Sequence, residues 1–415
     1  MPRSLDEWLN YIGNLHPIAW DLTLDRVATV AARLKVLKPG KRVVLVAGTN
    51  GKGSCCEAID YLARASGLSV GITTSPHVRR YNERFRIDGE EVSDEKIVAA
   101  LGTIERVRGE VSLSYFEFSC LAALILFTQA NVDLAVLEIG LGGRLDAMNI
   151  VDPDIAVILP IALDHQNYLG DTREAIGREK AGILRQGVPL ILGDYDPPKS
   201  VLALSRTLGA QVFQIGKAFD YSEDQCFWTA NNDRRTQTVG DYPNLPMPSL
   251  GCAIQTVALL TEPKAEAVAR LSRLALEGRM TLVQHSGGPV YFDVAHNRHA
   301  VEHLLHSMIR RGHDRFRVVF GLYADKDCKG IYELLVDRVS FWHLSAVNEV
   351  RAMPPEQLFQ GLPPAAQNNA RTAPSVTEAI EHAVTTRSDG EPILVFGSFP
   401  VVAEALEWFD RSDSQ

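Results

Sequence analysis

Short apolar runs alternate with helix-type patterns through the first half of the chain. The run RVVLVAG (42–48) predicts a buried strand, and residues 53–65 predict the helix that follows it. Strands separated by helical crossovers favour a mostly parallel sheet that is covered on both faces. The further strands predicted in this half are 68–74, 133–139, 154–165 and 187–193.

The second half of the chain begins differently and then returns to the same alternation. Residues 219–248 are polar and rich in turn-forming residues, which predicts a short antiparallel element before an amphipathic helix near 251–260. A second α/β run follows LALEGRM, so the sequence predicts a domain boundary between 275 and 280. We therefore expect two α/β domains, 1–276 and 277–415. The strands predicted in the second domain are 289–295, 316–322, 340–346 and 392–398.

Composition and charge narrow the class of partner. The chain is 46% hydrophobic and 22% charged, with a formal net charge of -9, whereas nucleic-acid binding usually requires a basic face. The six cysteines have neither disulfide nor zinc-site spacing, which indicates buried free thiols in a reducing compartment. The N-terminal residues lack the apolar core of a signal peptide, and no apolar run is long enough to cross a bilayer. We therefore expect a cytoplasmic protein that binds neither nucleic acid nor membrane.

The segment VLVAGTNGKGS (44–54) resembles a phosphate-binding loop with altered spacing. A common P-loop reads G-x-x-x-x-G-K-[ST], but here Val46 stands at the first glycine position and Gly53 separates Lys52 from Ser54. The segment still follows a buried strand and precedes a helix, and its glycines would let the backbone approach phosphate oxygens. The alternative is a glycine-rich turn with a surface lysine. The density of glycine and polar residues around the lysine favours the phosphate loop.

An arginine-rich segment, residues 73–93, follows the next predicted strand. It carries Ser75 and, within a few residues, a cluster of four arginines. Two interpretations are open: an exposed basic loop, or a site for an acidic substrate or a metal-bound phosphate. The arginines are Arg79, Arg80, Arg84 and Arg86.

Ionisable residues also stand at the ends of two other predicted strands. Glu138 ends an apolar strand, where a carboxylate is costly unless it meets a cation, so it is either a Mg²⁺ ligand or a helix cap. Asp164 and His165 end the strand predicted over 154–165, and Lys180 is flanked by small residues on the next helix, where it could face inward. Alone, such a His or Lys is usually structural. These strands would end at one edge of one sheet, where open α/β sheets bind ligands.

The second domain repeats the pattern of polar residues at strand ends. Three successive predicted strands end in such residues, which suggests a cleft facing the first domain. Arg279, in EGRM, stands at the hinge. The strand-end residues are Asp293, His296 and Asn297 in FDVAHNRHA, Asp325 and Lys326 in GLYADKD, and Ser398 in VFGSFP.

Seven motifs in order resemble one known family. GTNGKGS, TSPH, E-x-GLGGR-x-D, LDH, EKAGI, D-x-AHN and FGSF are similar to those of the bacterial folylpolyglutamate synthase/dihydrofolate synthase family, within the Mur ligase superfamily. The resemblance covers nearly the whole chain, from residues 8–27 to the C-terminal helix. It implies a Mur-ligase-like N-terminal P-loop domain with a mostly parallel sheet and a smaller Rossmann-like C-terminal domain. It further implies a monomer that uses ATP and two Mg²⁺ ions to join L-glutamate to dihydropteroate or reduced folate through an acyl phosphate.

The resemblance also implies roles for individual residues. ATP would bind to Gly48, Thr49, Asn50, Gly51, Lys52, Gly53 and Ser54, with Arg279, Asp293 and Asn297. The metal ligands would be Ser75, Glu138, His165 and Lys180, the last as a carbamate. Substrate would contact Ser114, Phe116, Asp146 and Ser398, and the catalytic residues would be Lys52, His165, Lys180 and His296.

Some positions depart from the family pattern. The metal and phosphate residues are retained, whereas residues of the pocket walls differ. Two alternatives therefore stay open: a paralogue with the same chemistry on another carboxylate or amine, and a nucleotide-binding regulator without catalysis. Retention of both metal sites speaks against the regulator. The departures are Met148, Leu159-Pro160, Ser249, Met280 in GRM, and Arg298 in HNRH.

Overall fold

The chain forms two compact units, Met1–Arg273 and Leu274–Gln415. The computed structural model describes residues 2–16 and 22–412, so part of the family-like segment 8–27 lies outside the described residues. Both units are α/β, and the predicted fold class is confirmed. In the described part of the chain, no helix is both long and apolar enough to cross a membrane.

Unit 1 is built on a sheet in which eight described strands have the order β4-β3-β2-β5-β1-β6-β7-β8. All neighbours from β2 to β8 are parallel, and only β3 and β4 pair antiparallel at one edge. The central strands are continuous apolar runs because helices cover both faces. The strands are β1 (Arg42–Ala47), β2 (Val70–Thr73), β3 (Phe85–Ile87), β4 (Glu90–Glu91), β5 (Leu134–Glu138), β6 (Ile155–Ile158), β7 (Leu190–Leu192) and β8 (Val212–Gln214).

The described helices of unit 1 form the layers on this sheet. The longest is apolar over most of its length and begins with a capping box, in which Ser114 accepts a hydrogen bond from the Glu117 backbone and the Glu117 side chain accepts one from the Ser114 backbone. The helices are α1 (Leu5–Gly13), α2 (Asp25–Leu34), α3 (Lys52–Ala65), α4 (Asp94–Arg108), α5 (Tyr115–Ala130), α6 (Gln166–Leu169), α7 (Arg173–Ala181), α8 (Lys199–Thr207), α9 (Met247–Leu260) and α10 (Ala265–Ala269).

Residues 219–248 contain the short antiparallel element that the sequence predicts. It is a three-stranded sheet of described residues with β10 in the middle, and β11 forms an exposed polar edge. The amphipathic helix predicted near 251–260 is wrong in character, because residues 249–257 of α9 are buried on every side. The strands are β9 (Asp220–Tyr221), β10 (Gln225–Ala230) and β11 (Asp233–Thr238).

Unit 2 has a six-stranded sheet of described residues in the order β12-β13-β17-β14-β15-β16, parallel except for β12. Four of its strands confirm the predicted ones. The sequence missed β12 and β16, since neither edge strand has a continuous apolar run. The strands are β12 (Thr281–His285), β13 (Gly288–Asp293), β14 (Phe316–Phe320), β15 (Val339–Ser345), β16 (Ala370–Ala373) and β17 (Ile393–Phe396).

The helices of unit 2 alternate with these strands. Asn297 caps the first of them by accepting a hydrogen bond from the Ala300 backbone at 3.0 Å. The described helices are α11 (Arg298–Arg310), α12 (Cys328–Leu335), α13 (Pro355–Gly361), α14 (Pro364–Gln367), α15 (Val376–Thr386) and α16 (Phe399–Ser412).

One core histidine makes the stability of unit 2 depend on pH. His343, in β15, is fully buried, and its ring lies 3.1 Å from the Val318 carbonyl oxygen and 3.0 Å from His382 Nδ1. Burial lowers the pKa of His343 to about 3. Because the folded pKa lies below the ordinary value of 6.5, the unfolded chain binds more protons between these two pH values.

We therefore expect stability to fall as the pH drops below about 6.5. This group alone should remove about 2 kcal/mol of unfolding free energy between pH 7 and pH 5. The His343→Asn variant can still donate to Val318 and should show a correspondingly shallower pH dependence. Urea unfolding at several pH values measures both proteins. Identical pH slopes would contradict the assignment.

Candidate active site

The carboxyl ends of four strands in unit 1 meet at one edge of the sheet. Val46 pairs with Glu138, Ala47 pairs with Ile158, and Thr73 pairs with Leu137. The loops that follow these strands therefore begin side by side, as the sequence predicts. This edge is a candidate ligand site.

The strand predicted over 154–165 is wrong in its second half. The strand ends at Ile158, and Asp164 and His165 lie further along an irregular loop. Pro160 has no backbone N–H to give to a ladder, and its carbonyl instead accepts from Thr49 at 3.1 Å. The loop therefore runs alongside residues 48–54. His165 belongs to this loop and does not lie at the end of a strand.

The shape of the phosphate loop depends on glycine. Gly51, the N-cap of α3, has φ 82°, and a Cβ there would lie 2.4 Å from Ser249 Oγ. Gly48 has φ 154°, and a Cβ there would lie 2.6 Å from Leu159 Cβ. Both positions exclude side chains because the wall of residues behind the loop is already in contact with its backbone.

That wall includes the residues that depart from the family pattern. Ser249 donates from its hydroxyl to the Gly51 carbonyl at 3.0 Å. Leu159 packs against Gly48, as described above. Thr49 donates from Oγ1 to the Ala162 carbonyl at 3.1 Å and accepts from the Ala162 N–H at 3.0 Å. Thr49 is predicted to bind ATP as part of the loop, and its hydroxyl already holds the loop in place.

Two lysine side chains converge on one carbonyl oxygen of this loop. Lys180 Nζ donates to the Gly48 carbonyl at 2.8 Å and Lys52 Nζ donates to the same oxygen at 3.3 Å. Lys180 is 4% exposed, which confirms that it faces inward. Burial, followed by repulsion from Lys52, lowers the pKa of Lys180 to about 7. Neither lysine forms an ion pair with a described residue.

The loop also offers unused hydrogen-bond donors. Ser54 Oγ is buried without a partner among the described residues. The first turn of the 14-residue helix α3 points its backbone N–H groups to the same place. Two ammonium groups, a free hydroxyl and a helix N-terminus fit a polyphosphate.

An acidic side chain adjoins the loop. Glu138 is 5% exposed, and its carboxylate accepts a hydrogen bond from the Ser75 backbone at 3.0 Å. A Cβ on Gly53 would lie 3.6 Å from the same carboxylate, which places Glu138 against the start of α3. The Glu138 carboxylate and the Ser75 hydroxyl are oxygen donors of the kind that Mg²⁺ prefers.

The other two residues predicted as metal ligands are arranged differently. His165 has φ 50°, and its Nε2 lies 4.0 Å from Asp164 Oδ1. Lys180 as an amine donates to Gly48 and is not a ligand. In the described chain no group of three or more His, Cys, Asp and Glu side chains is placed to hold a metal ion.

Two residues predicted to bind substrate meet at the turn after β5. A Cβ on Gly140 would lie 2.4 Å from Phe116 Cζ, so the tip of the ring packs against that glycine. Asp146 accepts hydrogen bonds from the backbone of Leu141 at 2.8 Å and of Met148 at 2.9 Å. Burial raises the pKa of Asp146 to about 6. The third residue, Ser114, uses its hydroxyl to cap α5, as described above.

Unit 2 has its own cluster at the carboxyl ends of β13, β17 and β14. Asp293 aligns with Phe396 in the neighbouring strand, and its carboxylate accepts hydrogen bonds from the Met280 and Ala295 backbone, both at 2.9 Å. Burial raises the pKa of Asp293, and Arg279 opposes that shift. Ser398 is 1% exposed and its hydroxyl has no partner among the described residues. A free buried hydroxyl marks this strand end as a second candidate ligand site.

The remaining residues predicted in unit 2 surround this strand end. His296 Nδ1 lies 2.8 Å from the Val294 carbonyl oxygen. Asn297 caps α11, so its side-chain oxygen is already engaged. The Arg279 guanidinium lies 5.4 Å from the ring centroid of Phe399 and donates to the Gly278 carbonyl.

The sequence places Arg84 in a cluster of four arginines but does not distinguish it from the other three. Only the structure shows that Arg84 is buried beside the rings of Tyr81 and Tyr115. Its Nε donates to His77 Nδ1 at 2.8 Å. Burial lowers the pKa of His77 to about 4, so this ring is neutral near pH 7. The motif was visible in the sequence, whereas the partners of each arginine were not.

The fold and the phosphate-loop edge are those of a Mur ligase. The model of the Mur ligase middle domain matches residues 46–238, and the model of the Mur ligase glutamate ligase domain matches residues 278–399. The dihydrofolate synthase/folylpolyglutamate synthase of Escherichia coli (strain K12) is 39% identical to this chain, over 99% of this chain and 96% of that protein. The chain belongs to the dihydrofolate synthase/folylpolyglutamate synthase family.

Solved structures agree with this assignment. The Escherichia coli FolC structure in complex with DHPP and ADP has a TM-score of 0.92 and 38% identity, covering 99% of both chains. The Yersinia pestis bifunctional folylpolyglutamate synthase/dihydrofolate synthase complexed with AMPPNP and Mn ion has a TM-score of 0.91 and 37% identity, covering 98% of both chains. The predicted family and fold are confirmed, whereas the roles of individual residues stay predictions.

Two glycine substitutions test the shape of the phosphate loop. Gly51→Ala should lower the free energy of unfolding by about 1–3 kcal/mol, because a left-handed residue with a Cβ is strained. Gly53→Ala is the matched control, since a Cβ there would meet its nearest atom at the ordinary distance of 3.6 Å and would favour the helix. Urea unfolding without ligands compares the two variants. Equal effects would contradict this account of the loop.

Proposed function

We propose that this protein is an ATP-dependent ligase that forms an amide bond between L-glutamate and dihydropteroate, reduced folates, or both. The γ-phosphoryl group of ATP passes to the acceptor carboxylate and gives an acyl phosphate and ADP. The amine of L-glutamate attacks the acyl carbon, and the tetrahedral intermediate releases phosphate and leaves the amide. Membership of the family and the names of its relatives support the reaction.

One observation in the site supports the use of ATP. In the unmodified protein Lys52 and Lys180 both donate to the Gly48 carbonyl without a carboxylate in ion-pair contact among the described residues; once Lys180 is carbamylated, Lys52 and bound Mg²⁺ would supply the positive charge instead. Such a concentration of positive charge is favourable when an anion of high charge binds there. Lys52 would hold phosphate oxygens, and Gly48 to Ser54 would contribute backbone N–H groups together with the Ser54 hydroxyl.

The residues at the same edge fit Mg²⁺. Ser75 and Glu138 would hold the first ion, and His165 with a carbamylated Lys180 would hold the second. The ions would supply positive charge that neutralises the phosphate oxygens. Lys180 suits carbamylation because its pKa of about 7 leaves a neutral fraction of the amine, and only a neutral amine adds to CO₂. The product would be an anion, which explains a lysine beside a metal.

The turn after β5 would bind the acceptor. The Phe116 ring would stack on a flat pterin, and Asp146 holds the same turn by accepting from the Leu141 N–H, with Ser114 close by in sequence. A buried carboxylate that already accepts two backbone hydrogen bonds is rigid, so it would orient a pterin rather than exchange protons freely.

Unit 2 would handle glutamate and part of ATP. We assign residues 1–276 to the ATP-binding domain and residues 277–415 to the glutamate-ligase domain. Asp293, Asn297 and Arg279 would bind ATP, and His296 would be a catalytic residue. The Ser398 hydroxyl, which has no partner among the described residues, would form a hydrogen bond with the glutamate substrate.

We further propose that the protein works as a monomer in the cytoplasm. All six cysteines are free thiols, five of them buried, which suits a reducing compartment. ATP as a substrate supports the same location. Neither nucleic acid nor membrane is needed for the proposed reaction.

Phosphate release from ATP tests the proposed reaction. Purified protein with Mg²⁺ and L-glutamate should release phosphate many times faster with dihydropteroate or tetrahydrofolate than with no acceptor, because the acyl phosphate forms only on an acceptor carboxylate. Phosphate and amide product should form in equal amounts. If neither dihydropteroate nor tetrahydrofolate stimulates phosphate release, the proposal is contradicted. ATP hydrolysis that does not depend on glutamate would indicate a nucleotide-binding regulator.

The role of Lys180 has its own test. Lys180→Ala should lower kcat on the order of 100-fold, as loss of a preorganised charged group does in other enzymes. A short carboxylate such as acetate should restore part of the activity. In the wild type, ¹³C-labelled bicarbonate should give a carbamate NMR signal that Lys180→Ala lacks. Lys41→Ala is the control, since that exposed lysine pairs with Asp133. Full activity of Lys180→Ala without rescue would rule out the role.

A further inference from the structure

The structure gives three of the four clustered arginines of residues 79–86 different surroundings. Arg80 is exposed and pairs with Glu91. Arg86 pairs with Glu57 on α3. Arg84 forms no ion pair with any described residue, although it is only 8% exposed. Of these three arginines, Arg84 is therefore the candidate for binding an acidic ligand.

The surroundings hold the Arg84 guanidinium in a fixed orientation. Its central carbon lies 5.6 Å from the ring centroid of Tyr81 and 5.7 Å from that of Tyr115. Its Nε donates to His77 Nδ1 at 2.8 Å. In the described chain the two terminal nitrogens have no hydrogen-bond partner. The edge of the guanidinium that could bind a planar anion in two places is therefore not engaged by any described residue.

No carboxylate in the described part of the chain forms an ion pair with this charge. Glu83 comes directly before Arg84, but it accepts hydrogen bonds from the backbone of Val78 at 2.7 Å and of Arg79 at 2.8 Å. A buried cation without an anion is costly, and tyrosine faces recover only part of that cost. The arrangement becomes favourable when a ligand supplies a carboxylate, which matches the guanidinium in geometry and charge.

The location of Arg84 connects it with the acceptor. Tyr115 stands between Ser114 and Phe116, which we assign to the acceptor pocket. His77 lies on the loop that begins with Ser75, at the metal and phosphate edge. Arg84 touches both residues and so lies between the pocket for the pterin and the place where phosphate is transferred.

A folate acceptor carries two kinds of carboxylate, one that reacts with ATP and one that does not. The carboxylate that reacts must keep its electron density to attack phosphorus, and a guanidinium bound to it in two places would lower its nucleophilicity. Tetrahydrofolate ends in a glutamate with a second, non-reacting carboxylate, whereas dihydropteroate has none. Arg84 is therefore better suited to the non-reacting group.

We propose that Arg84 binds the non-reacting α-carboxylate of the terminal glutamate of a folate acceptor and thereby determines the use of folates relative to dihydropteroate. This inference rests on the proposed function. Arg84 is a specificity-determining residue in this scheme, held in position by His77, Tyr81 and Tyr115.

Steady-state kinetics with two acceptors test the proposal. In Arg84→Gln, kcat/KM for tetrahydrofolate should fall about 10- to 100-fold, mainly through KM, as loss of a charge-assisted pair predicts. With dihydropteroate the same variant should change less than about threefold, within the effect of a small packing change. Arg84→Lys keeps the charge without the paired donors and should be intermediate. Arg80→Gln is the matched control and should be normal with both acceptors.

A change in the substrate completes the experiment. A tetrahydrofolate analogue with a carboxamide in place of the α-carboxylate should lose the same factor with the wild type. The Arg84→Gln variant should not distinguish the analogue from tetrahydrofolate, because the two changes remove one interaction. If the variant folds poorly, the analogue still tests the proposal, because the wild type alone shows whether the α-carboxylate contributes to binding.

Several results would overturn the proposal. Equal losses with both acceptors would mean that Arg84 contacts a shared group or serves the fold alone. Equal use of tetrahydrofolate and its carboxamide by the wild type would show that the α-carboxylate is not bound. These results would leave the proposed ligase reaction intact. Wild-type protein that uses neither acceptor would overturn both.

Discussion

Two positive charges that meet at one backbone oxygen dominate the active edge of unit 1. Lys52 and Lys180 both donate to the Gly48 carbonyl, and like charges at this distance repel each other. Burial of Lys180 adds a desolvation cost, which its pKa of about 7 reflects. The loop, the cap of α3 and the wall behind them must be stable enough to hold this arrangement until Lys180 is carbamylated, as proposed above, or an anion of high charge binds.

Rigid surroundings provide that stability. Parallel strands buried on both faces position the ends of β1, β5 and β2 side by side. Side chains that are predicted to touch ligand are partly used for structure: Thr49 pairs with Ala162, and Asp146 accepts two backbone hydrogen bonds. Such a site is preorganised, since little reorganisation is needed when charge develops during the reaction.

The sequence predicts the strands that are apolar throughout and the residues that follow them, and this is sufficient to place Glu138 and Lys180 at one edge. It fails where apolar residues continue beyond a strand, as in 159–165, because a run such as Leu-Pro-Ile-Ala-Leu does not show where ladder pairing stops. It also fails for edge strands such as β16. Arg80, Arg84 and Arg86 are equivalent in the sequence, because their partners, Glu91 and Glu57, are distant along the chain or on another element.

The hydrogen bond from Ser249 to Gly51 has a consequence for synthesis of the protein. The phosphate loop is translated early, yet the hydroxyl that holds its carbonyl arrives nearly two hundred residues later, and Lys180 arrives between them. A ribosome-bound chain that lacks α9 has the complete loop motif without its supporting wall. The shape of the loop is therefore a property of the finished unit and not of the motif alone, because its supporting contacts are complete only once α9 has been added.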